Sequence, residues 1–442
     1  MGAMPPPPSA LGPGQDGTPS DAAEGSAWAK TAARPSEGAT EGSGLELRDP
    51  GFWFFAAHLW TIFGLALSNA CLGLTAIFAA RRGRRLARPW NEVAALLVPL
   101  TVYTLFLVAS IVGSLDRATS LPELKEVFSL ATLPLALLWV RGEAAARRVV
   151  TGVLVVGTLV AVQGIGQNYL GEYGTLHRRI VGLFSHYQTL AGILLLTFLL
   201  LSARLLTRGH GGSGRRRALE AVALVLVVWA LLLTLTRGAW VAAIVTVAIA
   251  LLVRARRYLP IYAGLALVAV VIFASLAPDS WNQRMRSIVD LQDPSNYDRL
   301  CMAEAGLYMV SERPLFGLGP RVVAERYPIY RHPTAPRFTV PHLHNSFLQL
   351  AAEQGLLSLL AYGWLMVASL ALAWRGYRRD GGFTGPRADL YLGVILAVVG
   401  FNLAGLFEAN WRDTEIQRWM LFLLTIPCAL PARRPNPAEG DR

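Results

Sequence analysis

Long apolar runs alternate with short arginine-rich segments along most of this chain. A helix that crosses a bilayer needs about 20 apolar residues. Runs of that kind fall at 52–80, 91–113, 124–140, 149–167, 187–206, 218–235, 238–253, 259–277, 345–374, 389–407 and 418–432. The run at 52–80 is long for one span and short for two. A tight hairpin there keeps the amino-terminal tail on the inner side and brings the total to about 12 spans. Residues 1–50 are rich in Pro, Gly, Ala and Ser and poor in large apolar side chains. Such a stretch cannot bury enough surface to offset its chain entropy, so it reads as a disordered cytoplasmic tail. It also lacks the basic, apolar and small-residue order of a signal peptide. The remaining divisions are amino-terminal membrane helices over 51–277, a polar loop over 278–344, carboxy-terminal membrane helices over 345–432 and a short inner tail at 433–442.

Charge placement orients these spans. Arginines cluster at Arg81–Arg88, Arg141–Arg148, Arg204–Arg217, Arg254–Arg257 and Arg375–Arg379. With those blocks set inward, the segments 114–123, 168–186, 236–238, 278–344 and 408–417 face outward, and the alternation holds at every step. The fold expected is an all-α polytopic membrane protein with a large, partly helical outer loop before the last three spans. Composition agrees: 53% of residues are hydrophobic and 16% charged, against roughly 25% charged in soluble domains. The net charge of +12 is therefore mainly a matter of topology, and nucleic acid is not an expected partner. Cys71 and Cys428 lie in apolar runs and Cys301 in the loop. All three read as small buried residues rather than a disulfide or metal set.

Ionisable residues avoid the centres of the predicted spans and gather at their outer ends: Asp116, Arg117, Arg178, Arg179, Arg237, Glu353, Glu408, Arg412 and Asp413. Ion-coupled transporters carry such groups near the midplane. Chemistry at the outer face fits this chain better. The richest outer segment is PHLHNSFLQLAAEQG, from Pro341 to Gly355. A neutral imidazole there can take a proton from an alcohol near neutral pH. His344 is the leading candidate and His342 the second. A histidine in this place can equally cap the helix. Asn345, Gln349 and Glu353 recur every fourth residue and form a polar stripe, which at membrane depth must face the bundle interior or a wet cavity.

Arginines supply the complementary charge. Arg237, in LTLTRGAW, sits between two apolar runs and cannot lose its proton, so it needs an anion or the headgroup region. Arg178 and Arg179 have the same placing before the run at 187–206. The loop holds Arg284, Arg286, Arg299, Arg313, Arg321, Arg326, Arg331 and Arg337. Residues 299–310 read as a helix with Leu300, Ala303, Leu307 and Val310 on one side, suited to the membrane interface. The following SERPLFGLGP reads as a helix stop and turn. Converging arginines bind a pyrophosphate bidentately without a metal. Asp290 and Asp293 read as turn residues, and no metal site or cofactor is expected.

The segments RPLFGLGP and PHLHNSFLQLAAEQGLLSLL, with the inner basic block after them, resemble the carboxy-terminal part of the O-antigen ligase and polymerase superfamily. The TRGAW and RRIVGLFSHYQTLAG stretches fit the same pattern. The resemblance covers roughly residues 150–425 and is most specific in the two motifs flanking the loop. It implies a multi-pass protein of the bacterial inner membrane, with a periplasmic loop and active site. It implies a glycan donor carried on undecaprenyl pyrophosphate and, for a ligase, a sugar hydroxyl of lipid A–core oligosaccharide as acceptor. The family's histidine falls on His344, and its phosphate-binding arginines on Arg237, Arg299 and, less directly, Arg179. The implied reaction is metal-independent and inverting. Polymerases that join lipid-linked repeats and protein-glycosylating transferases share the motif and topology. A glycolipid transporter is a different class, disfavoured by the apolar span centres.

Overall fold

The computed structural model describes residues 47–86, 89–171, 178–207, 213–255 and 293–430. The run at 259–277, the loop up to residue 292 with Arg284, Arg286 and Asp290, and most of both tails lie outside the described residues. Among the described residues the fold is all helical. The principal helices are α1 Pro50–Trp60, α2 Leu65–Arg81, α3 Trp90–Val112, α4 Lys125–Leu130, α5 Thr132–Trp139, α6 Gly142–Leu170, α7 Tyr187–Leu206 and α8 Gly214–Leu233. They continue with α9 Arg237–Ala255, α10 Pro294–Glu312, α11 Val322–Tyr330, α12 Ser346–Arg379, α13 Ala388–Gly405 and α14 Thr414–Ala429. Six of these, α3, α6, α7, α9, α12 and α13, are long and apolar enough to cross a membrane. They make this a multi-pass membrane protein.

The expected run at 52–80 is broken. α1 ends at Trp60, α2 starts at Leu65, and the two pack against each other. Asp49, which caps α1, pairs with Arg84 at 3.4 Å and also with Arg82, so both ends of the hairpin return to one place. At 11 residues, α1 reaches only about 16 Å and by itself does not cross roughly 30 Å of hydrocarbon. The run at 124–140 likewise divides into α4 and α5, joined through Ala131 in helical conformation.

Contacts gather the arginine blocks at one end of the bundle. Arg147 at the start of α6 pairs with Asp389 at the start of α13, 2.7 Å away. Arg204 near the end of α7 pairs with Glu220 on α8 at 3.2 Å and donates to Thr151 on α6 at 2.9 Å. Arg254 at the end of α9 lies over the Phe383 ring between α12 and α13. α13 lies against α7, and α12 against α3. One large apolar core runs through the bundle, and a smaller one lies under the loop, built from Met302, Ala305, Met309, Leu318, Val323, Tyr327 and Leu343.

The loop is wedged into α12. At Gly355 the backbone leaves the helix, with φ 82° and ψ 171°. A Cβ there would fall 2.1 Å from the Leu315 carbonyl oxygen. Only glycine allows both the dihedrals and the approach. The RPLFGLGP turn takes up the hydrogen bonds the break leaves open. Leu318 N–H donates to the Ala352 carbonyl and Gly319 N–H to that of Glu353, each at 2.9 Å, and Leu356 N–H donates to the Pro314 carbonyl at 2.7 Å. The loop and the mouth of α12 are thereby one unit.

Candidate active site

The site grows from the start of α12. Asn345 is extended and caps the helix, its Oδ1 accepting from Leu348 N–H at 2.9 Å. Its Nδ2 donates to the Leu406 carbonyl at 3.2 Å, and Ser346 Oγ donates to the Glu408 carbonyl at 2.8 Å. The helix mouth is thus tied to the segment that follows α13. Gln349 Oε1 accepts from Leu343 N–H at 2.7 Å, which fixes the turn before the cap. Between these anchors His344 takes a left-handed conformation, φ 51°. That is uncommon for a residue with a side chain, although histidine tolerates it better than most. Such strain persists where the surroundings enforce it, often at functional sites.

The result is a contact between His344 and Glu408. Imidazole Nδ1 lies 3.0 Å from Glu408 Oε2, with both side chains largely buried. Beside an ionised carboxylate, Nδ1 carries the proton and donates, which leaves Nε2 as the basic nitrogen. The other carboxylate oxygen, Oε1, accepts from Arg299 at 2.9 Å, and the Gln188 amide also donates to Oε2. Glu408 therefore joins histidine, arginine and amide at one point.

Arg237 reaches the same place through the break between α8 and α9. Leu235 is left-handed, φ 54°, and Thr234 Oγ1 accepts from Thr236 N–H at 3.3 Å, so the chain turns sharply and restarts at Arg237. A Cβ on Gly238 would fall 2.6 Å from the Phe407 Cβ, so its absence lets α9 abut the segment carrying Glu408. The buried Arg237 guanidinium donates to Asn296 Oδ1 at 2.8 Å and lies 3.6 Å from Asp293. Asp293 caps α10 and Pro294 begins it, so the helix starts earlier than residue 299 and Arg299 lies inside it rather than at its first position. Arg179 is stacked on the Tyr187 ring, 4.3 Å from its centre.

These residues line one cleft of about 340 Å³: Arg179, Arg237, Arg299, His344 and Glu408, with Tyr187, Thr236, Pro294, Ser295, Asp298, Pro336 and Arg337. Four guanidinium groups face two carboxylates there, an excess of positive charge that suits an anion. A second cavity, about 650 Å³, shares Glu408 but is lined by residues of both signs, among them His186, Gln188, Arg321, Glu325, His342, Asn410, Arg412 and Asp413. The two meet at Glu408.

Of the residues expected from the sequence, His344, Arg237, Arg299 and Arg179 share the arginine-lined cleft. His342 lies on the second cavity, its Nδ1 accepting from His344 N–H at 3.3 Å. Desolvation first, and the neighbouring His344 second, push its pKa down to about 2, so it stays neutral. Asn345, Gln349 and Glu353 do not line the arginine cleft. Asn345 and Gln349 shape the turn that holds His344. Glu353 is buried, accepts from Arg321 N–H at 2.8 Å and pairs with Arg412 at 3.2 Å. Glu408, Gln188 and Arg337 received no role from the sequence. The signals for two of them are modest: Glu408 is one of the charged groups at the outer span ends, and Arg337 one of the loop arginines.

Residues 222–363 match a family model described as O-antigen ligase. No curated protein matches the chain. The matched stretch runs from α8 to the middle of α12 and contains Arg237, Arg299 and His344, while Arg179 and Glu408 lie outside it. The match spans about a third of the chain and likens the part that carries Arg237, Arg299 and His344 to the O-antigen ligase family.

Proposed function

We propose that this protein is an O-antigen ligase of the bacterial inner membrane. It transfers a glycan en bloc from undecaprenyl pyrophosphate to a sugar hydroxyl of lipid A–core oligosaccharide, on the periplasmic face. The observation that carries the reading is the His344–Glu408 pair on the wall of a cleft lined by four arginines. The donor's pyrophosphate lies among Arg179, Arg237, Arg299 and Arg337. The acceptor sugar enters through the second cavity, whose mixed donors and acceptors suit hydroxyl groups. His344 Nε2 takes the acceptor hydroxyl proton. The oxygen attacks the anomeric carbon from the face opposite the pyrophosphate, and the bond from that carbon to the phosphate oxygen breaks, with inversion. Glu408 steadies the imidazolium that forms. The arginines take up the negative charge on the departing lipid pyrophosphate, so no cation is required.

The acceptor decides between ligase and polymerase. Purified protein is given lipid-linked glycan with and without lipid A–core. A ligase forms product only when the core is present. Elongation of lipid-linked glycan in its absence overturns the ligase reading in favour of a polymerase.

A further inference from the structure

At the end of α6 opposite the site just described, a cleft of about 580 Å³ opens between α1, α6 and α8. Its wall is apolar, formed by Trp53, Trp60 and Val155 beside Gly152. Trp60 packs so closely over Gly152 that a Cβ there would lie 2.1 Å from the indole nitrogen. Both indole N–H groups are spent on backbone carbonyls, Trp53 on Leu47 at 2.8 Å and Trp60 on Val149 at 3.3 Å. Trp53 is 42% exposed and Val155 52% exposed.

The rim has a different character. Arg147, Arg148 and Arg216 line it, and no carboxylate does. Arg147 is held by Asp389 and Glu143, each at 2.7 Å. Arg216 shares Glu220 with Arg204 through one nitrogen, at 3.3 Å. Arg148 is exposed and among the described residues pairs with no carboxylate. An apolar, partly exposed trough that ends in three cations, beside the membrane-spanning α6, is complementary to one kind of molecule. That molecule is a diacyl lipid with a net negative phosphodiester headgroup. A zwitterionic headgroup would bring its ammonium against the same cations. We infer that this cleft binds an anionic phospholipid, with its phosphate on Arg148 and Arg216 and an acyl chain along Trp53, Trp60 and Val155.

The test uses the full-length protein in detergent, titrated with phosphatidylglycerol or phosphatidylcholine and read by native mass spectrometry. Phosphatidylglycerol should bind the wild type at least 10-fold more tightly than phosphatidylcholine. The double variant Arg148→Ala/Arg216→Ala should lose about 30-fold for phosphatidylglycerol, from the contribution of roughly one phosphate contact per arginine. Arg378→Ala/Arg379→Ala, an exposed pair in another basic block, should lose under threefold. Val155→Trp, which fills the trough and leaves the charges, should weaken both lipids. Equal binding of the two lipids overturns the proposal. So does an equal loss in the two double variants, which would mean general surface charge, or unchanged binding in Val155→Trp.

Discussion

Glu408→Gln is the most informative single change in this site, because it keeps the shape of the side chain and removes only its charge. In the resting protein Glu408 accepts from His344 at 3.0 Å and from Arg299 at 2.9 Å. When His344 takes a proton, the first contact becomes an ion pair in a largely buried setting. A hydrogen bond to a charged partner contributes about 1.5–3 kcal/mol, against about 0.5–1.5 for a neutral one. Losing the Coulomb attraction across a few ångströms adds to that difference. A combined loss of about 2–3 kcal/mol in the transition state corresponds to a fall of roughly 30- to 150-fold in kcat. Ground-state binding should respond differently. Arg299 loses its internal carboxylate and is free for phosphate, so KM for the donor should stay level or fall. The assay is steady-state transfer with the donor varied at saturating acceptor, alongside a melting curve. Glu408→Asp should recover part of the lost kcat. A kcat within threefold of wild type, or a loss that appears only in KM, would refute the role given to Glu408.

Other consequences are as specific. Arg237→Lys removes a planar, buried guanidinium, and donor affinity measured by binding should fall about 10- to 100-fold, since a single ammonium cannot reproduce bidentate contact. Gly238→Ala drives a Cβ against Phe407 and should cost about 1–3 kcal/mol in thermal unfolding; Phe407→Ala in the same chain should return part of it, and no rescue would mean the contact is not the cause. Gly355→Ala forces a side chain into dihedrals and space reserved for glycine, and should lower the yield of folded protein through a cost of about 3 kcal/mol or more. His342, held down to about 2 in the fold, stays neutral while the unfolded chain takes up its proton below about pH 6.5. Its contribution to stability is therefore present above that pH and lost as pH falls, by about 1.4 kcal/mol per unit at most. His342→Gln should flatten the decline in melting temperature between pH 7 and 5, and an unchanged slope would contradict the shift.

Much of this arrangement can be read from residue order, and the unread part has physical reasons. The run at 187–206 coincides with α7 because an apolar stretch of that length has one solution in a membrane. Arg237 is conspicuous because an arginine between two apolar runs must be accounted for. Glu408 is not conspicuous: in LFEANW it looks like any acid in a short turn, and its meaning comes from residues 64 and 109 positions away in the chain. Nor does AAEQGLLS announce a break, since a lone glycine inside a helical pattern costs only about 1 kcal/mol and is tolerated. The break appears once the loop's turn is seen to supply the missing hydrogen bonds. His342 and His344 differ by two positions but line different cavities, a separation set by the left-handed turn at His344 that spacing alone cannot reveal.

The central claim is that His344 is the base in a cleft whose arginines hold the donor. It is tested most directly by single-turnover transfer of glycan from undecaprenyl pyrophosphate to lipid A–core, comparing wild type with His344→Ala in the presence of a chelator. Donor binding is measured on the same preparations. The account predicts that wild type transfers without added metal, and that the variant binds donor within threefold of wild type yet transfers about 10²- to 10⁴-fold more slowly. Transfer by His344→Ala at near wild-type rate, with the protein folded and donor bound, would contradict it.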